Sequence, residues 1–306
     1  MMKEEPIITC KKLTKTYKNG ENALKPLSLS INTNGIFALI GRNGAGKTTL
    51  VRILATDLSP SSGKAFIEGK DVEKESKAVR NRIAVIPQDA RPVPWLTPIE
   101  MVASYLMWRG FSSGDARKRA EDSIKRLGIE RYSKTLNSKL SGGTQKKVLL
   151  ATVLASEAKI LFLDEPSTGL DPMSRKELWD SLTKLKKDNF IFLTTHYLEE
   201  AEALADEIAV LENGKLVAFG SLEKLRQKIK FPFSVRISRD HDMRLKGIKG
   251  DITVGSNGTR QIFTTKREAY KIAKLLIERG KEFSMNPVSL EDIFYSLVGK
   301  TIEEEE

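Results

Sequence analysis

Residues 41–48 combine glycine, lysine and threonine at the spacing of a loop that binds phosphate groups. They read Gly41-Arg42-Asn43-Gly44-Ala45-Gly46-Lys47-Thr48 and match the pattern G-x-x-x-x-G-K-[ST]. Glycines let the backbone wrap closely around an anion, so that its N–H groups point inward. Lys47 supplies a charge for the β- and γ-phosphates, and the Thr48 hydroxyl can ligate Mg²⁺. The segment therefore predicts a site for a nucleoside triphosphate and Mg²⁺, to which the next residue, Thr49, also belongs.

Two acidic residues follow a short apolar run further along the chain. Residues 160–163 are Ile-Leu-Phe-Leu, and Asp164 and Glu165 come directly after them. An apolar run that ends in acids is typical of a central strand whose carboxyl end meets a ligand crevice. There, Asp164 can orient Mg²⁺ directly or through water, and Glu165 can polarise an attacking water as a general base. The pair therefore predicts hydrolysis of the bound triphosphate.

The segments around these motifs alternate between strand and helix patterns. Residues 35–40 indicate a buried strand before the loop, and residues 48–56 indicate a helix after it. Short strands are predicted at residues 7–9 and 27–31, and a hairpin turning at residues 213–214. Helices and strands alternate in between, at residues 141–157, 160–163, 173–187, 190–194 and 198–204. The pattern predicts an α/β fold with a mainly parallel sheet covered by helices, preceded by an antiparallel β part.

Two regions depart from this alternation. Residues 91–139 have helical spacing and few β-branched runs, which predicts a helical insert. Beyond the hairpin, Lys-rich segments, short strand candidates and an amphipathic helix at residues 266–279 predict a small α+β appendage. We therefore expect a nucleotide-binding domain over residues 1–220 and a C-terminal accessory domain over residues 221–306.

Composition excludes some classes of protein and permits others. Cys10 is the one cysteine among 306 residues, so neither an intramolecular disulfide nor a cysteine-based metal site is expected. The formal net charge of +11 suits a polyanionic partner such as nucleotide phosphates, nucleic acid or an anionic membrane surface. The longest apolar runs are far shorter than the roughly 18 residues of a membrane span, and the acidic N-terminus does not resemble a secretory signal. The chain is therefore not expected to cross a bilayer by itself.

Further motifs in this sequence resemble those of the ABC (ATP-binding cassette) ATPase family. Residues 140–144, Leu-Ser-Gly-Gly-Thr, are similar to the family's signature motif, here with Thr144 where the family often has glutamine. Four more segments resemble the family's glutamine loop, its loop after the carboxylates, its switch histidine and its adenine-stacking aromatic: Gln88, residues 167–171, His196 and Tyr17. The resemblance covers residues 7–220, with the motifs in the family's order.

The resemblance implies a mechanism and a set of ligands. Two cassettes pair head to tail around two ATP molecules, each held by one phosphate loop and covered by the partner's signature residues, Ser141, Gly142 and Gly143. His196 would hold the γ-phosphate and the attacking water, and Asp171 would contact the opposite subunit. Gln88 would sense Mg²⁺ and link the site to the helical insert, the surface that such proteins present to a membrane partner.

Two segments further resemble ATPase subunits of export systems for drugs, lipids, sodium or polysaccharides. They are residues 194–202, Thr-Thr-His-Tyr-Leu-Glu-Glu-Ala-Glu, and residues 289–294, Ser-Leu-Glu-Asp-Ile-Phe, where Ser289 is expected to cap a helix. This subgroup implies a separate membrane-spanning permease and a location at the cytoplasmic face of the cell membrane.

Other classes of protein fit the sequence less well. A soluble ABC ATPase that acts on nucleic acid or ribosomes is permitted by the charge, but such factors resemble tandem cassettes, and one phosphate loop is present here. A DNA-repair ABC ATPase would need a long coiled coil between Gln88 and Leu140, where too few residues lie. A small-molecule kinase with the same loop would not explain the signature or His196. No direct contact with nucleic acid is therefore expected.

Overall fold

A computed structural model describes residues 5–237, 250–254 and 260–298. The chain divides into two compact units, Met1–Phe219 and Gly220–Glu306. The strands are β1 (Ile8–Thr16), β2 (Asn22–Ile31), β3 (Ile36–Ile40), β4 (Ser62–Ile67), β5 (Lys70–Asp71), β6 (Ile83–Ile86), β7 (Ile160–Asp164), β8 (Phe190–Thr195), β9 (Glu207–Glu212), β10 (Lys215–Gly220), β11 (Phe233–Ile237), β12 (Gly250–Val254), β13 (Arg260–Thr264) and β14 (Phe283–Pro287). The α-helices are α1 (Lys47–Leu54), α2 (Ser76–Arg80), α3 (Pro98–Trp108), α4 (Ser113–Arg126), α5 (Gly142–Ala155), α6 (Pro172–Leu185), α7 (Leu198–Leu204), α8 (Leu222–Lys228), α9 (Lys266–Glu278) and α10 (Leu290–Val298).

The first unit is built around a six-stranded sheet of order β10-β9-β3-β8-β7-β6. The β6–β7, β7–β8, β8–β3 and β3–β9 pairs are parallel, which confirms the predicted mainly parallel sheet. Every residue of β3 and β7 is buried, as expected for strands covered on both faces. In the register of the sheet, Ile40 lies beside Thr195 and Asp164 beside Thr194. The carboxyl ends of β3, β7 and β8 therefore meet at one edge.

A second sheet of the first unit has the order β2-β1-β4-β5, and the β1–β2, β1–β4 and β4–β5 pairs are antiparallel. This confirms the antiparallel N-terminal part of the predicted fold. The strand β1 is much longer than the predicted residues 7–9, and β4 and β5 were not predicted. In β1, the alternation of polar and apolar residues is interrupted by register shifts after Cys10 and Leu13 and by exposed lysines. The full length of the strand therefore cannot be recognised from the alternation.

A helical region lies between β6 and α5, as the predicted fold requires. Helix α3 begins at a capping box, in which Thr97 accepts from the Glu100 backbone N–H and Glu100 accepts from the Thr97 N–H. The apolar faces of α3 and α4 share a buried cluster with α5, which includes Val102, Ile124 and Val148. The region is thereby fixed to the helix that carries the signature motif.

The second unit contains an antiparallel sheet of order β12-β13-β11-β14, against which α9 packs. Its core includes Val235, Ile262 and Leu276. The Ser289 hydroxyl accepts from the Asp292 backbone N–H at 3.2 Å at the start of α10, as expected for a cap. Helix α8 and strand β12 were not predicted. Residues 238–249, 255–259 and 299–306 of the expected accessory domain lie outside the described residues.

None of the described helices combines the length and the apolarity that crossing a bilayer requires.

Candidate active site

The phosphate loop connects the buried end of β3 to the first turn of α1, as the motif predicts. A side chain at Gly41 would place its Cβ 2.3 Å from the Leu211 carbonyl oxygen. Gly46 has φ +104°, and a Cβ there would lie 2.4 Å from the Ala23 carbonyl oxygen. Both positions therefore require glycine for steric reasons. The loop ends at the N-terminus of α1, where unpaired N–H groups and the helix dipole favour an anion.

Lys47 is 5% exposed and points back across the loop. Its Nζ donates to the carbonyl oxygens of Gly41 at 2.8 Å and Arg42 at 3.2 Å, and it lies 3.2 Å from Glu165 Oε1. A buried ammonium requires such partners, because an unpaired charge in a desolvated position is costly. The structure thus joins the lysine of the phosphate loop to the carboxylate at the end of β7.

Glu165, the second carboxylate of the pair, lies in a strained turn that hydrogen bonds to Thr194 stabilise. Glu165 has φ +48°, a left-handed conformation that is rare for residues other than glycine and that often occurs at functional sites. Its backbone N–H donates to Thr194 O at 3.1 Å and to Thr194 Oγ1 at 3.0 Å. The Thr194 hydroxyl in turn donates to Asp164 Oδ1. Thr194 was not predicted from the sequence, where its signal is a polar residue at the end of an otherwise apolar strand.

Glu165 is the centre to which the predicted catalytic side chains converge. Its Oε2 lies 2.9 Å from His196 Nδ1 and accepts from Gln88 Nε2 at 3.5 Å and from Thr168 Oγ1 at 3.2 Å. Burial acts to raise the pKa of Glu165, but the His196 hydrogen bond and the Lys47 charge outweigh it and hold the pKa at about 2. The carboxylate is therefore ionised at neutral pH, as a proton acceptor must be. Thr168 is a further contact that the sequence analysis did not single out.

Asp164 and Thr48 offer oxygen atoms suited to a hard cation. Burial raises the pKa of Asp164, while hydrogen bonds from Thr194 and Thr48 act against that change. The Thr48 hydroxyl and the Asp164 carboxylate therefore lie together, and the Gln88 side chain reaches the neighbouring carboxylate, Glu165, to which its Nε2 donates at 3.5 Å. Mg²⁺ prefers oxygen ligands and keeps several waters or phosphate oxygens, so this donor set fits it. The described residues contain no group of three or more His, Cys, Asp or Glu side chains that could hold a metal by themselves.

Tyr17 lies in the turn after β1, where its hydroxyl is 3.1 Å from Thr49 Oγ1. The ring is partly exposed and borders an open cavity of about 570 Å³. The other residues that line this cavity are Lys15, Thr16, Lys18, Asn19, Glu21 and Leu58. The hydrogen bond places the predicted adenine-stacking residue next to Thr49, the residue that follows the phosphate loop.

The predicted partner-facing residues lie at exposed helix starts. The Ser141 hydroxyl accepts from the Thr144 N–H at 3.3 Å and caps α5, with Ser141 and Gly142 exposed and Gly143 half-buried. The Asp171 carboxylate accepts from the Met173 and Ser174 N–H groups at 3.0 Å and caps α6, and the hydrogen bonds from Ser174 lower its pKa. Among the described contacts, these residues do not touch the Lys47–Glu165 centre.

A glycine-rich loop and a carboxylate pair, brought together at the ends of parallel strands, define a nucleoside triphosphatase. The family model described as "ABC transporter" matches residues 24–168. The chain is 32% identical over 301 residues to the daunorubicin/doxorubicin resistance ATP-binding protein DrrA of Streptomyces peucetius, covering 94% of this chain and 91% of DrrA. The chain therefore belongs to the ABC transporter family. Within that family it is an ATP-binding subunit that hydrolyses ATP.

Two solved structures resemble the greater part of this chain. CbiO1 from Clostridium perfringens, described as part of the ABC transporter complex cbiONQ, has a TM-score of 0.67 and 29% identity, covering 74% of this chain and 92% of cbiO1. The cassette MJ0796, described as a dimeric post-hydrolysis state bound to ADP and Pi, has a TM-score of 0.63 and 28% identity, covering 70% of this chain and 98% of MJ0796.

Proposed function

We propose that this chain powers an exporter whose membrane-spanning permease is a separate chain, from the cytoplasmic face of the membrane. The observation that carries the proposal is the similarity to DrrA, a drug-resistance ATP-binding protein, which extends over both units of the chain. CbiO1, by its description, works as one part of a multi-protein transporter complex. A peripheral ATPase subunit is consistent with the absence of a spanning helix from the described residues.

We also propose that residues 1–220 act as the nucleotide-binding domain and residues 221–306 as an accessory domain. The helical insert at residues 91–139 would face the permease. In its favour, this insert carries two tryptophans at the surface, Trp95 at 73% and Trp108 at 83% exposure. Large exposed aromatic side chains are enriched in protein interfaces.

The working form in this proposal is a head-to-tail homodimer. Each ATP lies on one phosphate loop with its adenine against Tyr17, and the Ser141–Gly143 turn of a second copy covers the γ-phosphate. The exposed N-terminus of α5 supports this role, because a helix start presents N–H groups and a partial positive charge to an anion. The dimeric ADP- and Pi-bound MJ0796 offers a precedent.

Hydrolysis in this proposal uses Glu165 as the general base. Lys47 and His196 both contact this carboxylate and keep its pKa low, so it is a weak base. A γ-phosphate would compete for Lys47, and Glu165 would then become more basic and accept a proton from the attacking water. His196 would orient the water and the γ-phosphate, and Asp171 would contact the second subunit.

Thr48, Asp164 and Gln88 would hold Mg²⁺ on the phosphate oxygens. When bound, Mg²⁺ neutralises charge that develops on the β- and γ-phosphates. The Asp164 carboxylate is held by Thr194, so its orientation is fixed before the cation arrives.

The direction of transport can be tested in inside-out membrane vesicles that contain this chain and a candidate permease, a membrane-spanning chain encoded by a neighbouring gene. The first probe is daunorubicin, because the DrrA name contains that compound. ATP should drive daunorubicin into the vesicle lumen, and the activity should require both chains and disappear in Glu165→Gln. Release of daunorubicin from preloaded vesicles on addition of ATP would contradict export.

A further inference from the structure

Glu200 is a completely buried carboxylate close to the proposed site, to which no role has been given above. It is 0% exposed, and its Oε1 accepts from the Trp179 indole N–H at 2.9 Å. Its second oxygen, Oε2, is also buried and has no hydrogen-bond partner within the described part of the chain. A buried polar atom without a partner is destabilising, so such a residue needs a physical explanation.

The surroundings of Glu200 contain a second buried atom of the same kind. Burial raises the pKa of Glu200, and the hydroxyls of Thr195 and Ser167, the Trp179 indole and the Arg175 charge act against that change. The Ser167 hydroxyl is therefore close, yet it is fully buried and, among the described residues, has no partner in hydrogen-bond geometry. A hydrogen bond donated by Ser167 to Glu200 Oε2 would satisfy both atoms.

The position of Glu200 in the fold connects two segments with proposed catalytic roles. Its helix, α7, follows His196 by two residues, while Ser167 belongs to the loop that ends at Asp171 and leads into α6. Trp179 lies on α6, so the Trp179–Glu200 hydrogen bond joins α6 to α7. A displacement of the loop that contains Ser167 would therefore also displace α7, the helix that follows His196.

A second contact joins the same two segments. The Arg175 guanidinium, on α6, lies 3.9 Å from the centroid of the Tyr197 ring, within the range of a cation–π interaction. The Tyr197 ring is in turn 4.1 Å from the His196 ring. Two independent contacts thus run from α6 to the His196 segment, which makes independent motion of the two segments unfavourable.

We propose that Glu200 is a positioning residue that holds the His196 segment against the Ser167–Asp171 loop, so that closure of the dimer on this loop aligns His196 with the γ-phosphate. The proposal rests on the roles proposed above for His196 and Asp171. Glu200 does not touch the nucleotide and acts through the two segments that it joins. The Ser167 hydroxyl completes the connection when the dimer closes.

The principal test replaces Glu200 with leucine, which has a similar volume and no hydrogen-bonding atoms. Glu200→Leu should lower kcat by about tenfold or more, because misplaced catalytic groups lose rate steeply, and should leave the KM and the Kd for ATP within about twofold. Glu200→Gln keeps an acceptor for Trp179 and should recover part of the rate. The matched control, Glu199→Leu, changes an exposed glutamate of the same helix and should retain the wild-type kcat. A wild-type kcat in Glu200→Leu would overturn the proposal.

A double-mutant cycle tests the contact with Ser167 and covers the case in which Glu200→Leu does not fold. Ser167→Ala alone should lower kcat with unchanged ATP affinity, and a wild-type kcat in this variant would overturn the proposal. Combined with Glu200→Leu, it should cause no further loss, since both changes remove one connection. Losses that multiply would also overturn it. Glu165→Gln is measured in parallel: if that variant keeps its turnover, the proposed base is wrong, whereas its loss beside a fully active Glu200→Leu refutes only the positioning role.

Discussion

The phosphate-loop region and the signature region use their polar groups in opposite ways. Lys47 and Glu165 are almost completely buried, and Glu165 contacts both Lys47 and the partly exposed His196 at the ends of β7 and β8. Around Ser141, the residues are exposed or half-buried, and the described hydrogen bonds of the Ser141 side chain stay within the first turn of α5. One region is organised within a single chain, and the other presents its helix start at the surface.

In the proposed dimer, this difference would explain how one chain can carry two halves of a site that do not contact each other. A buried charge must find partners in its own subunit, or the subunit would not be stable. A helix N-terminus at the surface can leave its N–H groups to water until an anion replaces the water. The comparison therefore predicts that changes in the first region affect nucleotide binding or chemistry in each subunit, and changes in the second affect only the assembled dimer.

The largest effect is expected for Glu165→Gln, which removes the proposed base and keeps its volume. We expect kcat to fall by about a thousandfold while ATP binding persists, because general base catalysis contributes roughly 10²–10⁴ in rate. Phosphate release and gel filtration should show an inactive, ATP-bound dimer. Glu177→Gln, an exposed glutamate paired with Lys147, serves as the control and should hydrolyse ATP normally. Turnover at the wild-type rate in Glu165→Gln would refute the proposed base.

Ser141→Asp should separate the two regions most sharply. Aspartate caps a helix as well as serine does, but its charge would repel a γ-phosphate. The hydrolysis rate should fall by roughly tenfold to a hundredfold, while a single subunit binds ATP with wild-type affinity. Ser138→Asp, an exposed serine just before the signature motif, is the matched control. In the wild type the rate should rise more steeply than linearly with protein concentration; if Ser141→Asp keeps this rise and the full rate, the signature does not cover the nucleotide.

Lys47→Ala should weaken nucleotide binding itself. A hydrogen bond to a charged group contributes about 1.5–3 kcal/mol, so the Kd for ATP should rise roughly tenfold to a hundredfold. Isothermal titration calorimetry with ATP, under conditions in which ATP is not hydrolysed, measures this Kd. Lys271→Ala removes an exposed lysine that pairs with Glu268 on α9 and should leave the affinity unchanged. Equal affinities in all three proteins would mean that Lys47 does not hold the phosphates.

Tyr17→Ala should have a smaller effect on the same affinity, about tenfold, because stacking of a base on an aromatic ring contributes about 1–3 kcal/mol. Tyr17→Phe is the informative control, since it keeps the ring and removes the hydroxyl that lies 3.1 Å from Thr49 Oγ1. If stacking matters, Tyr17→Phe binds ATP like the wild type. If Tyr17→Phe is as weak as Tyr17→Ala, the contact with Thr49 matters instead.

The smallest effect is expected from pH, and it distinguishes stability from catalysis. In the folded protein the pKa of Glu165 is about 2, below its ordinary value of 4.5. Ionisation of Glu165 therefore stabilises the fold at pH values above 4.5, and this contribution is lost as the pH falls from 4.5 towards 2. The free energy of unfolding should therefore fall less steeply in Glu165→Gln than in the wild type between these two values. Above about pH 5, kcat/KM should show no inflection from Glu165. Parallel slopes in the two proteins would indicate an ordinary pKa.

The sequence predicts the site better than it predicts the elements around it. The contacts of Lys47, Glu165 and His196 agree with the expected cluster, because Glu165 and His196 come directly after the apolar strands β7 and β8, and Lys47 begins the helix after the loop that follows β3. The N-terminal sheet was predicted in outline only: β4 and β5 are short and partly polar, and their pairing depends on β1, which is distant in sequence. Thr194 and Glu200 were missed because a threonine in a strand and a glutamate in a helix carry no local signal of burial.

The sequence by itself determined that the chain binds phosphates, since glycine spacing and the lysine of the loop express a steric and electrostatic requirement that holds in any surrounding. The sequence also determined which ionisable side chains, such as Glu165 and His196, follow apolar strands. Only the tertiary structure decided which of these charges meet, because that depends on strand order and register across more than a hundred residues. Parallel pairing of β3, β7 and β8 places Lys47, Glu165 and His196 together, and the packing of α6 on α7 buries Glu200 beside them.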